Sequence, residues 1–472
     1  MKKLQTRILL RAIVACVVLA TFTGCKKEFL DLTPFTALPP SEAFKTEADL
    51  RVAMNGLYGG LRATDLFGRT VPVLGDIMAD NVYQHSINSN RYTQFNLYTV
   101  AVNDGNAAGM WTAAYAAILR ANNILDAPLT GTPGIAQIKG EAKAVRALLY
   151  FTLVRFFARP FTDNPTALGV PLILTYDLSL RAGRSTVDQV YTQILKDLGE
   201  AYTDMTVVTN SSQMSKWAAR ALEAKVRLNR NDLAGALTAA NDVINNSGFT
   251  TLIAANNASY WSAATFRTDR LETLFEVSMD VVGNQGFDAL TNIYNQLGYG
   301  DLLVSDPLYA SFTTTDVRRN LYFIAVAPSP RVGGIIVDKY KNLSAERDET
   351  KIMRMSDVYL IAAEAASTSN PNAALASLNF ILMRRDPSAP AYTSTGAQLM
   401  ADIMNERRKE FLAEGDRFHD LNRMKVAVER STNFPAAVRT IDFNNFRRLL
   451  PIPETEINVN PTIKTQQNPG YQ

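Results

Sequence analysis

The side chains of this 472-residue sequence best spaced for chemistry are carboxylates. Glu406, Glu410 and Glu414 recur every fourth residue, with Arg407 and Arg408 beside them and Arg417 one turn on. That spacing places the three acids on one helix face, where an acid–base pair could be drawn from them. Helical carboxylates flanked by arginines are instead expected to form ion pairs or caps, and the same reading covers Glu141 with Arg146 and Asp357 with Glu364. A glycosidase would need two carboxylates facing each other across a cleft, which spacing along the chain does not specify. There is no G-x-S-x-G sequence and no phosphate-cradling glycine loop. The chain has only two histidines, His85 and His419, too few for a histidine-rich metal site. His419 reads as a packed or partly exposed residue, and His85, in a polar segment, as a candidate ligand contact. No catalytic residue, metal ligand or cofactor is assigned.

The two cysteines carry a different chemistry. Lys2, Lys3, Arg7 and Arg11 precede and flank an apolar run over residues 12–20, and Leu19-Ala20-Thr21-Phe22-Thr23-Gly24-Cys25 follows. The apolar run is too short for a permanent span, and a small residue stands just before the cysteine. This is the layout of a bacterial lipoprotein signal over residues 1–24, cut before Cys25, which then carries the acyl chains. Two or more such chains give stable anchoring. Cys16 would be discarded and Cys25 lipidated, so residues 25–472 would fold as one large domain without a disulfide. Of 48 basic residues the signal takes four, leaving 44 against 45 acidic groups. A near-neutral body gives no electrostatic case for a nucleic-acid partner. No later stretch has eighteen consecutive apolar residues.

Apolar periodicity predicts a mainly α chain. Helices are expected around Ala53, Leu57 and Leu61, and around Trp111, Tyr115, Ile118 and Leu125. A long one is expected from Ile138 to Ala158, where Leu149, Leu153, Phe156 and Phe157 make a stripe. Val187–Tyr202, Met214–Leu228, Leu233–Ile244, Met353–Ala366, Ala373–Met383 and Leu399–Leu412 complete the set. Trp111 and Trp217 fall on these helices and are expected in the core. Residues 235–244 (GALTAANDVI) and 373–382 (AALASLNFIL) resemble each other, each following an alanine-rich helix and a short polar turn. Small residues at crossings let helices pack closely, as in tetratricopeptide-like pairs. Two stretches, about 64–106 and 248–350, lack helical periodicity and are long enough to carry binding surface.

Several motifs together resemble those of the SusD/RagB family of outer-membrane lipoproteins. They are Phe29-Leu30-Asp31; Asn55-Gly56-Leu57-Tyr58; Trp111 and Tyr115 with Arg120-Ala121-Asn122; and residues 140–147 followed by Gly169-Val170-Pro171-Leu172. Further on come Ser356-Asp357-Val358-Tyr359, Asn405-Glu406-Arg407-Arg408, Glu414-Gly415-Asp416-Arg417, Leu450-Pro451-Ile452-Pro453 and Asn468-Pro469-Gly470-Tyr471. The resemblance implies four tetratricopeptide-like helix pairs bearing an irregular ligand-binding face. It implies a protein lipid-anchored in the outer membrane and facing the exterior. Such a protein binds an oligosaccharide or glycan and delivers it to a SusC-like TonB-dependent transporter. A peptide-binding lid of the same kind of transporter, or a lipid-anchored hydrolase, are the alternatives. By the resemblance the site draws on the first irregular segment and part of the second. The first supplies Asp80, Asn81, Tyr83, His85, Asn88, Asn90, Arg91, Tyr92 and Tyr98, and the second Trp261, Tyr294, Asn295 and Tyr299. Aromatic faces would bury sugar C–H surfaces while amides and charges satisfy hydroxyls.

Overall fold

Thr46 starts the first helix: its hydroxyl accepts the Asp49 N–H at 3.2 Å, and the Asp49 carboxylate accepts the Thr46 N–H at 2.9 Å. This capping box satisfies two amides that a helix start otherwise leaves unpaired. Thr186 and Gln189 repeat it, and Asp104, Thr132, Ser215 and Asn370 cap other helices singly. The structure, a computed structural model, describes residues 44–263, 265–343 and 348–471. Cys25, the signal and the Phe29-Leu30-Asp31 motif lie outside the described residues.

The main helices are α1 (Glu47–Leu61), α2 (Thr70–Ile77), α3 (Gly105–Asp126), α4 (Pro133–Phe157), α5 (Val187–Asp204), α6 (Lys216–Asn229), α7 (Leu233–Asn246), α8 (Met355–Ala366), α9 (Pro371–Arg385), α10 (Gly396–Glu410) and α11 (Arg417–Arg423). Every helix expected from periodicity is present. From α3 to α9 each packs on the next, and α1 leans on α3 and α4. The expected likeness between residues 235–244 and 373–382 has a physical basis. Both lie on the second helix of a pair, α6/α7 and α8/α9. Ala236, Ala239 and Ala240 on one and Ala374 on the other are fully buried at the crossings. The pairs stack, α7 on α8, across the insertion of residues 247–354. This is a mainly α fold of tetratricopeptide-like helix pairs, and residues Thr46–Gln472 form one compact unit. Leu149, Leu153, Phe156 and Phe157 on α4 are fully buried, each contributing about 1.5–3 kcal/mol. Tyr150 beside them is equally buried, its hydroxyl bonded to both the N–H and the carbonyl of Ile173 at 2.7 Å.

The two aperiodic stretches contain regular structure that periodicity cannot reveal. All eight residues of α2 are buried, so it has no polar face to make a pattern. Short strands β1 (Val82–Gln84), β3 (Leu302–Val304), β4 (Tyr322–Ile324) and β5 (Ile335–Val337) form an antiparallel sheet in the order β1-β3-β5-β4. In between and after them, β2 (Thr273–Val277) pairs with β6 (Thr350–Arg354). Three residues are too few to show an alternation, and β3 and β5 are buried on both faces.

The charged motifs are structural, with partners other than those expected. Glu410 accepts from Arg354 at 2.8 Å, Arg385 at 2.9 Å and Arg318 at 3.0 Å. Burial alone would raise its carboxyl, but Arg385, Arg354 and Arg318 together hold it well below the usual range. Glu406 pairs with Arg318 and Lys409, and Glu414 with Lys339 and Arg354. Arg407, beside these acids in sequence, turns instead to Asp357 and Asp420. Glu141 takes Arg51 rather than Arg146, which pairs with Asp197. Asp357 and Glu364 do not meet: Lys225 and Arg407 hold the first and Arg423 the second. Helix neighbours point around the axis, so long-range contacts choose the partners. Of the tryptophans expected in the core, Trp111 is buried, whereas Trp217 is only half-buried against Tyr202 and Lys216. His419 is packed edge-on to Phe156, 4.6 Å between centroids. Among the described residues no cluster of three or more His, Cys, Asp or Glu could hold a metal, and no helix is long and apolar enough to cross a membrane.

Candidate functional site

Strand pairing brings the two irregular segments together. The β1–β3 register sets Tyr83 opposite Leu303 and Gln84 opposite Leu302. It continues one step further, with the His85 N–H donating to the Asp301 carbonyl at 3.0 Å. The loops that follow β1 and precede β3, residues 85–91 and 295–301, therefore lie side by side.

Two buried charges lock them. The Asp301 carboxylate, 1% exposed, accepts the Ser89 N–H at 2.8 Å and the Ser89 hydroxyl. Arg331, from the β4–β5 hairpin, donates to the carbonyls of Ile87 at 3.0 Å and Tyr299 at 2.8 Å, and to Gln296 Oε1 at 3.2 Å. Within the first loop the Asn88 carbonyl oxygen accepts from Gln84 and from the Asn90 N–H, while its Nδ2 donates to the His85 carbonyl. Asn90 takes the left-handed conformation, φ 59°, that asparagine tolerates better than most residues.

This frame presents Arg91 against Tyr299. The guanidinium carbon lies 3.6 Å from the Tyr299 ring centroid, and Nη2 donates to the phenol oxygen at 2.5 Å. Phe287 meets the same ring edge-on at 4.8 Å and is 56% exposed. Asp288 bonds Arg69 at 2.6 Å and lies 3.9 Å from Arg91. The result is an exposed ring beside a guanidinium and a carboxylate, an arrangement that can bury an apolar face and bond hydroxyls at its rim. His85 stands on the same loop. Burial lowers the pKa of its imidazole below the ordinary value and the nearby Arg331 charge lowers it further, while Nδ1 accepts the Ile87 N–H.

The structure brings together Asn90, Arg91, Tyr299 and His85 from the residues expected in the site. It buries Asp80, Asn81, Tyr83, Tyr92, Tyr98, Trp261 and Tyr294, and leaves Asn88 and Asn295 half-buried. Tyr92 is 1% exposed, with its hydroxyl bonded to Arg69 and Thr70. Tyr98 donates to the Met78 carbonyl, and Tyr294 donates to Asp76 at 3.0 Å while stacking on Tyr340. Trp261 is buried with the Lys339 ammonium 4.0 Å from its ring. Tyr83 packs edge-on to Phe434. Asp80 is paired with Arg417 at 2.8 Å and with Arg408, which also holds Asn81. Asn88 and Asn295 bond backbone groups of their own loops and of Tyr340. None of these buried rings offers a face to a ligand. Phe287, Asp288, Asp301 and Arg331 were not anticipated. Phe287 alone had a signal, a single aromatic in the polar run Gly283-Asn284-Gln285-Gly286.

Similarity to known proteins follows the same outline. A family model described as starch-binding associating with outer membrane matches residues 28–228, and one described as the SusD family matches residues 335–471. The chain belongs to the SusD family. SusD-like protein P2 of Formosa agariphila is 26% identical, over 96% of this chain and 98% of its own length. A SusD superfamily protein from Bacteroides vulgatus superposes with a TM-score of 0.83 at 29% identity, over 91% of this chain and all of its own. The surface glycan-binding protein A of Bacteroides fluxus shares the fold, with a TM-score of 0.74 at 21% identity, over 91% of this chain and all of its own. Phe287, Tyr299 and Arg331 lie between the two stretches matched by the SusD models, and Arg91 lies within the first. The scaffold is thus the family's, while most of the exposed patch sits in the inserted segment.

Proposed function

We propose that this SusD-family protein binds a glycan at the Phe287–Tyr299–Arg91 patch and delivers it to a SusC-like TonB-dependent transporter. The observation that carries the reading is the exposed Phe287 ring set beside a guanidinium that Tyr299 holds flat. Arg91 and Tyr299 stand on a frame locked by two buried charges, so these two side chains lose little freedom on binding. The protein would be anchored through acyl chains on Cys25 and face the cell exterior. The function is binding without turnover. Glu406, Glu410 and Glu414 are each engaged by arginine or lysine, and family members are sugar- or carbohydrate-binding proteins. Titration calorimetry with neutral oligosaccharides and with peptides tests the reading. Glycan binding that Phe287→Ala weakens supports it, and binding of peptides alone replaces it with the peptide-lid alternative.

A further inference from the structure

A cavity of about 470 Å³ opens where the chain leaves α4 and meets the C-terminal segment. It shares no residue with the Arg91–Tyr299 patch. Its floor is apolar, formed by Phe446, Leu168 and Leu449. The glycine of the Asn468-Pro469-Gly470-Tyr471 motif makes that floor possible: Gly470 has φ 88°, and a Cβ there would come within 2.5 Å of the Phe446 ring.

The wall is cationic. Arg184, 7% exposed, donates to the carbonyls of Gly169 and Gln466 at 2.7 Å, Leu168 at 2.9 Å and Phe157 at 3.1 Å, and among the described residues no carboxylate pairs with it. Its position is fixed but its charge is not neutralised. Burial pushes its pKa down to about 10, with only Tyr115 acting the other way. Arg159, at the mouth, pairs with Asp163 at 2.7 Å and reaches Asn444 Oδ1 at 3.4 Å. Behind it Arg448, 1% exposed, bonds Asn422 and the Val426 carbonyl, and among the described residues it has no paired carboxylate and no partner for Nη2. Asp442, the next acid along the chain, accepts the Asn444 N–H at 2.7 Å. Two guanidinium groups therefore line the cavity with a third buried behind them, against one paired carboxylate and one engaged in a turn. The side-chain amides of Asn164 and Asn444 have no acceptor for their N–H groups among the described residues and add neutral donors.

We propose that this cavity is a second binding site, for a sugar carrying an oxyanion, either a uronic acid or a sulfate ester. The charged group would sit against Arg159 and Arg184 and the ring over Phe446. The volume falls within the roughly 300–1,000 Å³ of small-molecule sites, and an apolar floor with a few convergent donors is their usual make-up. Arg184, its donors held by backbone carbonyls, would supply positive charge, while Arg159 Nη1 and the side-chain amides of Asn164 and Asn444 would donate to the oxyanion. A neutral sugar would leave that charge unanswered, so the site selects acidic residues.

Calorimetry on the whole mature chain tests this with a glucuronic-acid disaccharide, a sulfated disaccharide, a neutral disaccharide of the same linkage and inorganic sulfate. At least one acidic disaccharide should bind. Arg159→Gln and Asn444→Asp should each weaken it by about tenfold, the usual cost of a lost or opposed charge-assisted hydrogen bond. Tyr299→Ala should leave it unchanged. Asn444 is exposed, so its replacement tests the site without disturbing the core. Which acidic probe binds tells uronate from sulfate, and either supports the site. Equal binding of the neutral disaccharide, equal binding of inorganic sulfate alone, no binding of either acidic probe, or wild-type affinity in both cavity variants would overturn it.

Discussion

Arg331 donates to the backbone carbonyl of Tyr299 at 2.8 Å, and through the same nitrogen to Ile87 at 3.0 Å. One buried guanidinium thus joins the β4–β5 hairpin to both loops that present the candidate site. Arg331→Leu should unpair two carbonyls and Gln296, costing about 2–4 kcal/mol in stability. Hydrogen exchange should quicken over residues 85–91 and 296–301 before it changes in α4. Unaltered exchange in both loops would show that Arg331 does not hold them.

Tyrosines on the two sides of this frame should respond differently to truncation. Tyr92→Ala and Tyr150→Ala remove buried rings and should lose about 3–5 kcal/mol of stability. Tyr299→Ala should melt close to wild type and lose affinity instead. Urea unfolding followed by circular dichroism separates the groups, and early unfolding of the Tyr299 variant would place that ring in the core.

The contrast between Tyr92 and Tyr299 also marks how far the sequence could be read. Both sit in polar, aperiodic segments, and only the placement of Arg69 and Thr70 makes one of them internal. Helices α3 to α7 and α9 were legible because apolar residues recur along them at helical spacing and each begins on a side-chain cap, such as Thr132 or Thr186. Helix α2 was not, being buried on all sides, nor were strands of three residues. The scaffold role of Glu410 was legible from its spacing, but its partners Arg318, Arg354 and Arg385 come from elsewhere in the chain. The site was legible as a pair of segments, since β1–β3 pairing joins them, but which side chains reach its surface is set by contacts across more than two hundred residues, as for Arg91 and Tyr299.

Glu410 joins α10 to β6, to α9 and to the Arg318 turn. Glu410→Gln should remove the charge that three buried arginines share, with a loss of about 3–5 kcal/mol. Its depressed carboxyl supplies stability that is present above the unfolded-state value and lost as pH falls through the folded one. Wild-type stability should therefore fall more steeply with acidification below the unfolded-state value than that of the variant, whose neutral amide does not titrate. Coincident normalised acid profiles would remove Glu410 from the network's pH response.

Asp76 should act in the opposite sense. Burial raises its carboxyl from 3.8 to about 8, although the Tyr294 hydroxyl bond favours the charged form, and its Oδ1 has no partner. The folded state then holds a proton that the unfolded chain releases, so stability falls as pH rises from about 4 to 8. Asp76→Asn keeps an acceptor for Tyr294 and Gly415 and should flatten that decline. Parallel wild-type and variant profiles would show that Asp76 does not titrate there.

The proposed anchoring rests on Cys25, outside the described residues. Cys25→Ala should abolish incorporation of labelled fatty acid and leave a soluble or signal-retaining protein. Undiminished label on the variant would mean that the acyl chains are attached elsewhere.

The central claim is that the Phe287–Tyr299–Arg91 patch binds a glycan. Calorimetry of wild type, Phe287→Ala and Tyr299→Ala against a panel of neutral oligosaccharides measures it most directly. The account expects a saturable wild-type ligand whose affinity falls about ten- to a hundredfold in each variant, the loss of roughly 1–3 kcal/mol of buried ring surface, with melting unchanged. A glycan that binds both variants as tightly as wild type would contradict it.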